Sequence, residues 1–149
     1  MSEQPEGVYL LRVRVKPEET IDIGSLARRK VKGEYLYVGS AHGSGGFKRV
    51  SRHLEVAAGR RSGGHWHIDH LVEAGEVVET WLIPSEEDLE CELAGILGKL
   101  FEQPIESFGS SDCNCYSHLF KFEPSRKSEL IRELNEMKSE SKPIRFDWK

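Results

Sequence analysis

The stretch Tyr35-Leu36-Tyr37-Val38-Gly39-Ser40-Ala41-His42-Gly43-Ser44-Gly45-Gly46-Phe47-Lys48-Arg49-Val50-Ser51-Arg52-His53-Leu54 reads as strand, glycine loop, helix. Tyr35, Leu36, Tyr37 and Val38 suit a strand by their aromatic and β-branched content, and Gly39 breaks it. Gly39, Gly43, Gly45 and Gly46 leave the backbone free to approach a phosphate or a metal-bound oxygen closely. A helix is predicted from about residue 47 to 58, with Gly59 as its stop. Arg49 and His53 sit four apart and so share one face of it. Arginine can grip a phosphate with two parallel hydrogen bonds, and histidine titrates near neutral pH and can move a proton. Two readings follow: a strand tyrosine faces an Arg-His pair across a cleft, or the tyrosines pack in a core and the Arg-His pair is solvated.

Working outward from this stretch, Gly7 to Val15 ends in alternating apolar and basic residues, the period of a strand, with Tyr9, Leu11, Val13 and Val15 on one face. Pro17 is expected to close it. Thr20 to Ile23 reads as a short second strand, and residues 24–33 as a basic connection leading to the strand at 35–38. On the other side, Arg60 to Gly64 is a basic loop and His65 to Val72 starts a short helix that ends near Gly75. Glu76 to Ile83 alternates as a further strand. A helix is then expected from Ser85, with Ser85 as N-cap, Asp88 near the capping-box position, and Leu89, Leu93, Ile96, Leu97 and Leu100 as its buried stripe. Residues 118–122 read as a last strand. Ser125 is expected to cap a final amphipathic helix with Leu130, Ile131, Leu134 and Met137 on its apolar edge. These elements give an α/β (α+β) class, with a small mixed, mainly antiparallel sheet flanked by helices. Residues 1–138 form one domain in this reading, and the polar tail 139–149 reads as disordered.

The chain of 149 residues is long enough to bury a core without disulfides. No apolar run approaches a membrane span, and the first residues lack a basic region leading into an apolar one, so an intracellular, cytoplasmic protein is expected. The formal net charge is −4, yet residues 1–61 carry 12 Lys/Arg against 7 Asp/Glu, while residues 62–149 carry 9 against 18. A basic face on an acidic molecule can bind polyanions with salt-sensitive affinity, although solvated basic loops give the same pattern.

Three cysteines cannot all pair, and Cys113 and Cys115 are too close for a relaxed bridge, so reduced thiols or metal ligation are expected. His65, His67 and Asp69 alternate, and Cys113, Cys115 and His118 cluster in one stretch. A secondary zinc site built on Cys113, Cys115 and His118 is one reading. Because the Cys-x-Cys spacing is unusual for structural zinc, the favoured reading is that Asp112, Ser117 and His118 hydrogen-bond to nearby backbone, with the thiols partly buried. His65, His67 and Asp69 alternatively line a substrate cleft.

Gly7-Val8-Tyr9, Tyr37-Val38-Gly39, the Arg49/His53 pair and a carboxylate on a later helix, taken in order, resemble the GIY-YIG nuclease superfamily. The fuller pattern, with His65 to Asp69 and Ser111-Asp112-Cys113-Asn114-Cys115-Tyr116-Ser117-His118-Leu119-Phe120, is similar to an uncharacterised branch sometimes fused to endonuclease III-like DNA glycosylases. The resemblance covers residue 7 to about 122. It implies a metal-dependent DNA endonuclease, with a role in DNA repair as one expectation. Catalytic roles would fall to Tyr9, Tyr37, Arg49 and His53. Glu90, followed by Leu93, would hold Mg²⁺ or Mn²⁺, with Glu92 as its competitor. Gly39, Lys48, Arg52, His65 and His67 would contact substrate, and for the family's late asparagine the only candidate in the right region is Asn114, whose Cys-Asn-Cys context is unlike the usual one. The interval from Tyr9 to Tyr37 is longer than usual in the family, which implies an inserted segment, roughly residues 16–34, that contacts DNA or lengthens a hairpin. The alternative is a nucleic-acid-binding or protein-interaction module that kept the fold and lost the chemistry. The partner class is DNA rather than membrane. The sequence leaves the oligomeric state open, and a single-site domain cutting both strands needs a dimer or two sequential nicks.

Overall fold

A computed structural model describes residues 6–42, 46–61, 66–110, 113–137 and 143–147. Among these residues five antiparallel strands form one sheet, and four α-helices cover it, two on each face. The strands are β1 (Gly7–Asp22), β2 (Arg28–Ser40), β3 (Glu76–Pro84), β4 (Leu119–Lys121) and β5 (Ile144–Asp147), in the spatial order β4-β2-β1-β3-β5. The helices are α1 (Lys48–Ala57), α2 (His67–Ala74), α3 (Glu90–Leu100) and α4 (Lys127–Asn135).

Alternation along β1 sorts its side chains into two cores. Tyr9, Leu11, Val13 and Val15 join Tyr35 and Tyr37 of β2, and with Val50 and Val56 of α1 and Ile68, Leu71 and Val72 of α2 they build one core. Val8, Leu10, Leu36 and Val38 point the opposite way, against Leu93 and Leu97 of α3 and Leu130 and Leu134 of α4.

Several elements differ from the sequence expectations. Pro17 does not close the first strand. The β1–β2 register slips between Val15/Gly33 and Glu19/Val31, and the surplus residues on β1 form a bulge around a residue that has no N–H to give to the ladder. The strand therefore runs on to Asp22, and the basic connection is the start of β2. Residues 16–34 thus lengthen a hairpin, whose outer part carries exposed Arg28, Arg29, Lys30 and Lys32.

The third helix begins at Glu90 rather than after Ser85, because the Ser85 hydroxyl donates to the Glu87 carbonyl at 2.6 Å. Asp88 Oδ1 accepts the Glu90 N–H at 3.1 Å instead. Ser125 sits inside a short 3-10 turn and caps nothing, and α4 starts at Lys127. The tail contributes an edge strand, since Ile144 to Asp147 pairs with β3 from Leu82 back to Glu79.

That edge strand is tied down through a buried charge. Glu79 on β3 is 1% exposed and takes Arg12 of β1 at 2.8 Å, Lys127 of α4 at 2.9 Å and Arg145 of β5. Arg12 also bridges to Glu34 of β2. Burial alone would raise the Glu79 pKa, but hydrogen bonds from Arg12, Lys127 and Arg145 outweigh it and hold the carboxyl below its ordinary value. A carboxylate with a lowered folded pKa contributes its full stability above the unfolded value and loses it as pH falls through the folded one.

We predict that Glu79→Ala destabilises the fold by about 3 kcal/mol, the low end for breaking a buried ion pair because Arg12 keeps Glu34. Urea unfolding at neutral pH measures it. A loss below about 1 kcal/mol would mean that β5 and α4 are held by apolar contacts alone.

Candidate functional site

Two glycines make room for the side chains at the centre of the site. Tyr9 on β1 is the cross-strand partner of Gly39 on β2, and a Cβ on Gly39 would overlap the Tyr9 ring. Gly109 has φ +68° and lies against Tyr37, where a Cβ would come within 2.9 Å of the ring. The two rings consequently bury with their centroids 6.4 Å apart and still line an open cleft of about 540 Å³. Ser40, His42, Arg49, His53, Trp66, His67, Asp88, Glu90 and Gly109 complete its wall.

Both sequence readings of the tyrosines are therefore half right: they pack in a core and also face a cleft. His53, for its part, is buried rather than solvated. It is placed by α1, whose inward face also carries Val50 and Val56. Its Nε2 meets the Tyr9 hydroxyl at 2.8 Å, and its Nδ1 faces Asp69 Oδ1 at 3.9 Å. The carboxylate favours a proton on Nδ1, which leaves Nε2 as acceptor and makes the Tyr9 O–H the donor.

Asp69 is fully buried at the start of α2. Arg52 donates to its two oxygens at 3.1 and 3.3 Å, and the Trp66 N–H donates to Oδ2 at 3.2 Å. The result is an ordered row, Tyr9 to His53 to Asp69, running inward from the cleft.

Burial is the largest influence on both titrating members of this row. It lowers the His53 pKa to about 4, with Asp69 opposing and Arg52 and Arg49 assisting, so the ring is neutral at pH 7. Burial, followed by neighbouring Tyr37, raises the Tyr9 hydroxyl well above its usual range, with Arg49 opposing. The resting site thus holds a neutral phenol bonded to a neutral imidazole.

On the cleft wall, Arg49 Nη1 donates to the Ser40 carbonyl at 2.9 Å. His67 Nδ1 accepts the Gly109 N–H at 2.9 Å, so its ring proton is on Nε2. Burial, and then His70, lowers the His67 pKa. Glu90 lines the cleft beside Asp88, whose Oδ2 accepts from the Ser40 hydroxyl at 3.2 Å, whereas Glu92 is exposed and away from it.

Of the residues singled out from sequence, Tyr9, Tyr37, Arg49, His53, His67 and Glu90 come together in this one cleft. Gly39 faces the Tyr9 ring behind it. Lys48 is exposed outside the lining, and Arg52 is turned to Asp69 and lies over the Trp66 ring at 4.3 Å. Asn114 is exposed and away from the cleft. His65 lies outside the described residues. Asp69 does not line the cleft but stands behind His53. Sequence reasoning missed Ser40, His42, Trp66 and Asp88 in the wall.

A second group lies beside Glu90. Cys91, Cys113, Cys115 and His118 bring their ligating atoms within 4.8 Å of one another, a Cys₃His set that could hold a metal ion. Burial, followed by contacts with Cys91 and Cys113, raises the Cys115 thiol pKa. The neighbouring Ser117 hydroxyl does bond to the Leu119 backbone, as the non-metal reading of this loop expects. Cys91 is the member that spacing could not supply, because it lies 22 positions before Cys113. No helix among the described residues is long and apolar enough to cross a membrane.

Residues 8–140 match the family described as Domain of unknown function DUF123, and the chain belongs to that family. No curated protein and no solved structure matches it.

The burial of His53 has a consequence for stability. A histidine with a folded pKa near 4 and an unfolded one near 6.5 favours the fold fully above pH 6.5 and loses that contribution as pH falls toward 4. Between pH 7 and pH 5 the loss amounts to about 2 kcal/mol. Urea unfolding of wild type and His53→Gln at both pH values should show wild type losing about 2 kcal/mol more than the variant. Parallel losses in the two proteins would contradict the neutral buried imidazole.

Proposed function

We propose that this DUF123 member is a divalent-metal-dependent endonuclease that hydrolyses DNA phosphodiester bonds. The observation that carries the proposal is the meeting of Tyr9, Tyr37, Arg49, His53 and Glu90 in one cleft, from two strands and two helices. The order of Gly7-Val8-Tyr9, Tyr37-Val38-Gly39 and the Arg49/His53 helix supports placing the family beside the GIY-YIG nucleases.

Phosphodiester hydrolysis needs an activated water, a clamp on the phosphoryl oxygens and neutralisation of charge on the leaving oxygen. Tyr9 Oη accepts the proton of the attacking water as its own proton passes to His53 Nε2, and Asp69 steadies the imidazolium that forms. The phenol is too weak an acid to ionise at rest, so it acts while losing its proton to histidine rather than as a standing phenolate. Arg49 holds the scissile phosphate with its planar fork. The oxygen donors of Glu90, with Asp88 alongside, suit a hard divalent ion. Mg²⁺ or Mn²⁺ held by Glu90 would supply the charge neutralisation.

Two further features fit a nucleic-acid substrate. Trp66 is 45% exposed at the cleft wall and offers a ring face to a base. Arg28, Arg29, Lys30 and Lys32 on the extended β1–β2 hairpin give a basic arm for backbone phosphates.

Labelled single-stranded, duplex, flapped and branched DNAs with Mg²⁺ or Mn²⁺ test the reading. Wild type should cut at least one of them, and Arg49→Ala and Glu90→Gln should each slow cutting by about 10²-fold or more while circular dichroism stays unchanged. Tyr9→Phe should cost about 10²–10⁴-fold, the range for general acid-base groups. Salt-sensitive binding without cleavage by wild type under either metal would instead support a binding module that kept the fold.

A further inference from the structure

We propose that Cys91, Cys113, Cys115 and His118 bind one Zn²⁺ ion that staples the first turn of α3 to the loop entering β4. The assignment stands whether or not the cleft cleaves DNA, because it rests on the geometry and donor chemistry of a separate group.

The four ligating atoms lie within 4.8 Å of one another, and Cys113 Sγ is 3.5 Å from His118 Nε2. With Zn–S near 2.3 Å and Zn–N near 2.05 Å, a tetrahedral site has S···N edges of about 3.5 Å and S···S edges of about 3.8 Å. The Cys113–His118 edge already has the length that zinc requires, and no other pair of ligating atoms lies more than 4.8 Å apart.

Three thiolates and one imidazole form a closed set, as in structural zinc sites, with no position left for a reacting water. Soft sulfur donors also select zinc over the hard Mg²⁺ or Mn²⁺ that the oxygen donors of the cleft would favour.

The surroundings of the histidine match a ligand. With Nε2 turned to the cysteines, His118 Nδ1 faces Glu90 Oε2 at 3.5 Å, the arrangement in which a carboxylate orients a metal-bound imidazole and fixes its tautomer. The His118 backbone is locked on both sides: its N–H donates to the Phe108 carbonyl at 2.8 Å, and its carbonyl accepts from Val38 on β2 at 2.9 Å. Cys91 is exposed, which gives the ion a way in.

The bond set would do mechanical work. Cys91 follows Glu90 directly, so a metal that fixes Cys91 and His118 fixes Glu90 from both its chain neighbour and its carboxylate partner. It would also anchor Cys113 and Cys115 beside a three-residue edge strand. The Cys-x-Cys spacing that weakens a zinc reading of this loop in the sequence is compensated by a third thiol brought in by α3.

The test is made on the full chain, produced in zinc-supplemented medium and purified with reductant and without chelator. Mass spectrometry of the metals should find one zinc per chain. Cys91→Ser, at an exposed position, should fold and should lose zinc to a competing chelator more than about a hundredfold more readily than wild type, exceeding what a change beyond the ligand shell produces. Cobalt substituted into wild type should give the intense visible absorption of a tetrahedral thiolate complex, and Cys115→Ser should weaken it. Substoichiometric zinc together with no cobalt absorption would overturn the proposal. So would an intrachain disulfide among these cysteines in the purified protein, or zinc retained by Cys91→Ser as firmly as by wild type.

Discussion

The ring of Tyr9 occupies the space that Gly39 leaves empty, and much of the molecule follows from that cross-strand pair. A slip of one residue would turn Tyr9 and every other side chain of β1 to the opposite face. With the register as it is, odd-numbered residues of β1 and β2 build the core under α1 and α2, and even-numbered residues build the core under α3 and α4. Gly39 thereby contributes by having no side chain. It lets a large ring lie flat in the sheet face and present its hydroxyl to His53 rather than to solvent.

The carboxylates buried on the two faces of the sheet, Asp69 and Glu79, are tolerated because each has cationic partners. On one face Asp69 is enclosed by Arg52, the Trp66 N–H and the His53 ring. On the other, Glu79 gathers Arg12, Lys127 and Arg145. The two networks differ in what they leave available. Glu79 is saturated with cations and serves to join β1, β3, β5 and α4. Asp69 is one step removed from an imidazole that is itself neutral and in contact with a phenol at an open cleft.

The parts of this arrangement visible in sequence were those set by local pattern. Alternation identified the face shared by Tyr9, Leu11, Val13 and Val15, and the spacing of four placed Arg49 and His53 together. The antiparallel sheet with flanking helices also follows from strand and helix periods. Elements that depend on distant partners were not visible. Pro17 reads as a strand end until a bulge opposite Val31 to Gly33 absorbs it. Ile144 to Asp147 looks like polar tail until β3 offers an open edge and Glu79 a charge for Arg145. Asp69 gives no sequence sign of standing behind His53, since that depends on how α1 and α2 pack together. Cys91, likewise, joins Cys113, Cys115 and His118 only through the packing of α3 against β2.

The central claim is that the cleft at Tyr9 and His53 is where a phosphodiester reacts. A crystal structure with Mn²⁺ and a cleavage-resistant phosphorothioate DNA tests it most directly. The account predicts anomalous density for manganese on the Glu90 carboxylate, a backbone phosphate on the Arg49 guanidinium, and a water within hydrogen-bond reach of the Tyr9 hydroxyl. Manganese bound away from Glu90, or DNA seated on another face with no phosphate at Arg49, would contradict it.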